Sequence, residues 1–222
     1  MDKIIDSRIL SIDSTQTMID ILQEKGNISK KFKKGSTIHV WNKMEKSYSY
    51  TLQEAPGTNF DSEFNPHFTP QEMLRLGVFE GKYLNDCLLE FPAEWFIDAI
   101  TFHKLSPKVP NTLMNLFQVK SRQPLSIWDE NGWLPSSKTI KKPRHPELAS
   151  KSINPDERGW FQWYCRYWLG RRIPTIDAIQ ISRWKAFARH AGQIKANCPS
   201  WDLDCRPIQR QALLQWSWNP YI

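Results

Sequence analysis

Apolar and polar residues alternate in Thr37-Ile38-His39-Val40-Trp41 and again in Tyr48-Ser49-Tyr50-Thr51-Leu52. Period-two alternation on both sides of a polar stretch predicts a β-hairpin. Ahead of it, Met18-Ile19-Asp20-Ile21-Leu22 has the apolar density of a short helix, and Lys30-Lys31-Phe32-Lys33-Lys34-Gly35 reads as a basic link. Residues 1–36 thus read as a flexible appendage, and 37–222 as a single globular domain.

Beyond Pro56-Gly57 the pattern becomes helical. Thr69-Pro70-Gln71-Glu72 supplies an N-cap, a proline at the first helical position and the glutamate of a capping box, with Gly77 as the stop. Further helices are expected over 82–90 and 92–103. Pro107, Pro110, Pro124, Pro135, Pro143, Pro146 and Pro155 then break up 104–157, Asn131-Gly132 marks a turn, and the polar, aperiodic stretch 136–152 reads as a mobile loop.

Three helices are expected at the C-terminal end: 156–169 stopped by Gly170, 176–197 capped by Thr175, and about 204–218 with Pro207 in its first turn. Six of the nine residues from Trp160 to Trp168 are aromatic, so the first of these should be buried on most sides. Arg158, Gln162 and Arg166 interrupt that surface as one stripe, which must face water, a carboxylate or a ligand because an unpaired buried arginine is strongly destabilising. On the second helix Ile181, Trp184, Phe187, Ala188, Ala191 and Ile194 form one apolar sector, with Arg183, His190, Gln193 and Asn197 along its edge. Lys185 and Arg189 lie on its solvated side. The fold expected is α+β and mainly α-helical, with a small N-terminal β-hairpin and an aromatic-rich C-terminal three-helix unit over 156–222. There is no repeat at solenoid spacing.

Charge changes this picture more than overall composition does. The net charge of +7 lies in 158–222, where ten Lys/Arg, eight of them arginine, face three Asp. Residues 54–98 hold nine acidic residues against two basic ones, and seven of the eleven tryptophans lie in the basic block. Arginine pairs with phosphate, glutamine and asparagine with base edges, and aromatic rings stack on bases. The leading expectation is therefore a nucleic-acid or other polyanion partner. It would be held by Gln162, Arg166, Arg171, Arg172, Arg183, Gln193, Asn197, Arg206 and Arg210. Arg171 and Arg172 follow Gly170 and should also complement the helix dipole. An opposed expectation is a structural or interaction protein, with the aromatics as core and the acidic and basic blocks paired internally.

A third expectation is a small enzyme acting on a nucleotide or a nucleic-acid base. On a helix over 82–90, Asp86 and Glu90 would be i, i+4 neighbours suited to acid–base or Mg²⁺ chemistry, with Glu80 nearby and His190 as partner. No cofactor is required by the sequence: it has neither a Gly-x-Gly-x-x-Gly nor a P-loop. No metal is expected, because the five histidines are scattered and no His-x-x-His or Cys-x-x-Cys occurs. Cys198 and Cys205 have a spacing found in part of some iron–sulfur signatures, without the further cysteines such a site needs. Four cysteines in 222 residues read as reduced thiols. Cys165 among aromatics should be inert, and Cys198 and Cys205 either link two helix ends or are buried thiols. No apolar run is long enough to span a membrane, and charges occupy Met1-Asp2-Lys3-Ile4-Ile5-Asp6, so the expected setting is intracellular.

Overall fold

The computed structural model describes residues 6–135, 137 and 144–222. Strands β1 (Thr37–His39) and β2 (Ser49–Thr51) pair antiparallel, with Ile38 opposite Tyr50. Those two side chains turn inward between exposed flanks, as the alternation requires. Helix α1 (Thr15–Lys25) is capped by the Ser14 hydroxyl, which accepts from the Thr17 amide, and buries Met18, Ile21 and Leu22. Ile9 and Phe32 join them in the main core, so residues 9–32 pack with the rest of the chain.

Helix α2 (Pro70–Leu76) begins in the expected capping box and ends at Gly77, whose φ of 100° suits glycine alone. It packs against α3 (Ala93–Thr101), which follows Pro92 as expected. No helix forms over 82–90. Leu84 has a left-handed φ of 58° and Asn85 Nδ2 donates to the Gly81 and Ser106 carbonyls, so the chain turns repeatedly. Leu84, Asn85, Asp86, Cys87 and Leu88 are consecutively buried, a pattern that a helix with one solvated face cannot accommodate.

The proline-rich segment holds α4 (Leu125–Glu130) and a single tight turn over Pro146–Ala149 that buries Leu148. Of the loop expected over 136–152, residues 136 and 138–143 lie outside the described residues.

The C-terminal block consists of α5 (Trp160–Leu169), α6 (Pro174–Lys185), α7 (Ala188–Asn197) and α8 (Pro207–Gln215). Helix α5 is the axis of the core, with nine of its ten residues buried. Its rings surround Phe64, which contacts Trp160, Trp163, Tyr164 and Tyr167 at centroid distances of 5.5–6.3 Å. Gly170 ends the helix in the left-handed region, and a Cβ there would sit 2.1 Å from the Glu54 carbonyl oxygen.

The single helix expected over 176–197 is two helices. Helix α6 starts at Pro174, with Ile173 rather than Thr175 as N-cap, and the Asp177 carboxylate accepts from the Ile173 amide at 2.7 Å. It ends at Ala186-Phe187, where the Phe187 ring stacks on Trp216 at 4.3 Å. The break has a packing cause. Ile176, Ile181 and Trp184 of α6 serve the main core, whereas Ala191 and Ile194 of α7 join a separate small cluster with Leu213 of α8. Helix α8 is shorter than expected because Arg206 is left-handed at φ 58°. Cys198 and Cys205 form a disulfide between the end of α7 and the approach to α8, correcting the reduced-thiol reading for that pair. Cys87 and Cys165 remain free thiols, buried and held well above their ordinary pKa by burial. No helix among the described residues is long and apolar enough to cross a membrane.

Candidate functional site

The stripe Arg158, Gln162, Arg166 meets carboxylates. Arg166 is fully buried and donates from Nε to Glu90 at 2.6 Å, from Nη1 to Asp156 at 3.0 Å and from Nη2 to Glu45 at 2.9 Å. Arg171 holds both Asp156 oxygens, at 2.8 and 2.7 Å. Gln162 Nε2 donates to Glu45 at 2.7 Å while its carbonyl accepts from the Arg158 amide. Arg158 pairs with Asp86 at 2.7 Å. The connection between β1 and β2 supplies Glu45, the turns after 82 supply Asp86 and Glu90, and the entry to α5 supplies Asp156. Part of the acidic block thus does pack against part of the basic block.

The buried network contains two guanidiniums and three carboxylates, an excess of one negative charge. Burial opposes the charge on Arg166, but Glu90, Asp156 and Glu45 outweigh it and hold the group well above its ordinary value. Burial, with Glu45 beside it, raises Glu90 despite the arginine contact. Asp156, shared by two guanidiniums, is lowered although burial pushes the other way. Their linkage signs are opposite. Asp156 stabilises the native state above the ordinary aspartate value, and this is lost as pH falls through its lower native value. Glu90 favours the native state at acid pH, and this is lost as pH rises through its raised native value. Urea midpoints measured from acid to neutral pH should therefore decline on the alkaline side for the wild type and be flatter for Glu90→Gln. Parallel profiles would show that Glu90 does not carry this dependence.

The remaining residues expected to bind phosphate or bases divide among four environments. Arg210 is buried and donates to four backbone oxygens. Arg172 caps α5 through the Tyr167 carbonyl at 2.6 Å, reaches Thr58 and Asn59, and lies over the Tyr167 ring. Gln193, Asn197 and Arg206 are exposed on α7 and at the start of α8, where Gln209 donates to Gln193 and accepts from Arg206. Arg183 stands apart from all of these.

The four acid–base candidates are not brought together. Glu80 accepts from the Ser121 and Arg122 amides, Asp86 from Arg158 and the Lys43 amide, and Glu90 from Arg166 and Tyr50. His190 lies on α7 beside Phe187, with burial and Arg189 lowering its pKa, and no hydrogen bond or ion pair joins it to these carboxylates. Among the described residues, no group of three or more His, Cys, Asp or Glu is arranged to hold a metal.

Arg183 lies in a cleft of about 430 Å³ that the sequence did not reveal. Its walls come from the turn carrying Phe79 and Tyr83, from Trp128 and Trp133 around the Asn131-Gly132 turn, from Trp160, and from Phe187 and Trp216. Trp160 and Phe187 stack on Trp216 at 4.4 and 4.3 Å, so three near-parallel rings fix one another in this wall. Gly159 lets the opposite wall approach, since a Cβ there would lie 2.9 Å from the Trp128 ring. The Arg183 guanidinium sits 5.5 Å from the Trp133 ring centre and 5.2 Å from that of Trp216, and donates to buried Gln180 at 2.8 Å. It pairs with no carboxylate among the described residues, and burial lowers its pKa to about 10. Arg144 and His145 also line the cleft, and no carboxylate among the described residues does. Burial, Arg183 and Arg144 together lower the pKa of His145.

The sequence contained one signal for this site. Trp128 and Trp133 bracket the Asn131-Gly132 turn within a proline-rich stretch, which sets two bulky rings close together on either side of one turn. Phe79, Tyr83 and Gln123 carried none, because their placement depends on long-range packing. Comparison of the chain with protein-family models, with curated proteins and with solved structures finds no match.

Proposed function

We propose that this chain binds single-stranded nucleic acid, holding a base against the ring planes of the cleft and a phosphate with Arg183. The observation that carries this reading is a half-buried guanidinium without a carboxylate partner, set between two tryptophans in a cleft that no described carboxylate lines. Desolvating such a group is unfavourable in the free protein, and an anionic ligand reverses that penalty. A base face is accessible to rings only when the nucleotide is unpaired, and each base–ring stack contributes roughly 1–3 kcal/mol. A cleft of about 430 Å³ suits one nucleotide unit rather than a duplex groove.

Most arginines expected to form a broad phosphate-binding surface are engaged internally, so the footprint is small. A labelled single-stranded oligonucleotide, followed by anisotropy over a salt series, should show a shallow dependence, with a slope of roughly −0.7 per phosphate contacted. Arg183→Met should weaken binding on the order of tenfold and reduce that slope by one contact. Its melting temperature should equal or exceed that of the wild type, because a costly buried charge has been removed. Wild-type affinity in Arg183→Met, or no binding by the wild type at low salt, would sink the assignment.

A further inference from the structure

A second, smaller lobe of about 170 Å³ adjoins the cleft and shares Phe79, Tyr83, Gln123 and Trp128 with it. Three charged groups besides these line the second lobe: Arg122, Arg158 and Glu157. Arg158 is bound to Asp86 at 2.7 Å and to Asn42 at 3.3 Å, and Glu157 pairs with Lys151 at 3.2 Å. The Arg122 guanidinium has neither a hydrogen bond nor an ion pair among the described residues. It is an unpaired cation of this lobe, and in the larger one Arg183 likewise has no carboxylate partner among the described residues.

Its position is set from below. Glu80 Oε1 accepts from the Ser121 amide at 3.0 Å and the Arg122 amide at 3.3 Å, while the Glu80 amide donates to Asn115 Oδ1 at 2.8 Å. Asn115 Nδ2 in turn donates to the Val119 carbonyl and the Ser121 hydroxyl. Phe79 and Glu80 are both left-handed, at φ 52° and 57°. Such a backbone is strained for a non-glycine residue, and the strain persists only where the surroundings over-determine it. Here one strained turn sets Phe79 into the wall shared by both lobes and places the Glu80 carboxylate on the amides that carry Arg122. Strain, cavity and unpaired cation therefore converge on one place.

Resting on the reading of the larger cleft given above, we infer that the second lobe is a subsite for the adjacent nucleotide of the same strand. Arg122 contacts the phosphodiester, Gln123 and Trp128 form the partition between units, and Glu80 is a positioning residue. The ligand class is thus a strand of at least two linked nucleotides, not a free mononucleotide.

Calorimetric titration with a nucleoside 5′-monophosphate and with the corresponding dinucleotide tests this. The wild type should bind the dinucleotide at least about tenfold more tightly. Arg122→Ala should erase that gain and leave mononucleotide affinity within about twofold of wild type. Glu80→Ala should show the same selective loss, while Glu80→Gln, whose amide oxygen still accepts from both amides, should retain the gain. Equal wild-type affinity for the two ligands, or equal weakening of both by Arg122→Ala, overturns the subsite and leaves the cleft reading standing. Binding of neither ligand overturns both.

Discussion

Arg166→Met is expected to remove most of the native stability of this protein. In the wild type the Arg166 guanidinium is the common partner of Glu45, Glu90 and Asp156, at 2.9, 2.6 and 3.0 Å, and it is fully buried. Without it only Arg171 remains, bound to Asp156, and Glu45 and Glu90 lose their cation. Removing one partner of a buried ion pair costs about 3–5 kcal/mol, against a total of about 5–15 kcal/mol for a typical domain. Tyr48 and Tyr50, whose rings lie 5.0 and 5.6 Å from the guanidinium, lose a contact as well. Arg166→Lys should fare little better, because the three donors of an ammonium radiate from one nitrogen and cannot reach the three carboxylates that the wider, planar guanidinium spans from Nε, Nη1 and Nη2. The triple change Arg166→Met, Glu45→Gln, Glu90→Gln should recover part of the loss, since it removes the uncompensated charges along with the cation. Urea denaturation followed by far-ultraviolet circular dichroism measures all three. An Arg166→Met protein within about 1 kcal/mol of wild type would contradict the network as an energetic unit.

The second large effect is expected at Arg210, for a different reason. Its buried guanidinium donates to backbone oxygens: Cys205 at 2.8 Å, Asp202 at 3.0 Å, Pro220 at 2.5 Å and Ile222 at 2.8 Å. One side chain of α8 thereby fastens both the loop that precedes the helix and the segment that follows it. Hydrogen bonds to a charged group contribute roughly 1.5–3 kcal/mol each, but carbonyls freed near the surface regain water, so Arg210→Met should cost about 3–4 kcal/mol in sum. The loss should be local at first. Hydrogen exchange should rise over 199–206 and 216–222 before it rises in α5. Because Trp216 forms a wall of the cleft and lies in the released segment, nucleotide affinity should fall together with stability. Arg183→Met, by contrast, should lose affinity alone. Unchanged exchange over those two segments in Arg210→Met would show that the four backbone contacts hold nothing in place.

Several elements could be read directly from local pattern. The capping box at Thr69 and Glu72, the hairpin alternation, the burial of α5 and its stop at Gly170 all follow from interactions within a few residues of one another. The stripe Arg158, Gln162, Arg166 was legible as a group that needed partners. Which partners was not legible, because Glu45, Asp86 and Glu90 lie from 72 to 121 positions away in the chain. The same limit explains the missing helix over 82–90. Local pattern there is compatible with a helix, but burial of five consecutive side chains against different neighbours outweighs that propensity.

Periodicity treated 176–197 as one apolar face, and Ile181, Trp184, Phe187, Ala191 and Ile194 of that face do serve apolar clusters, whereas Ala188 is exposed. Only packing divided it, because Trp184 and Ile194 belong to clusters that one straight helix does not serve.

By itself, then, the amino-acid sequence determined that the protein is mainly helical with a small hairpin, that its aromatic centre lies on α5, and that its unbalanced positive charge lies near the C-terminal end. These are consequences of period, capping and composition, which act over a few residues. The tertiary structure alone decided which arginines are consumed and which are left. Pairing requires a carboxylate within about 4 Å, and burial depends on every element that packs above the group. Arg166, Arg171 and Arg210 fell inside partner shells built by distant segments, while Arg183 and Arg122 fell on the walls of two adjoining lobes, where neither pairs with a carboxylate among the described residues.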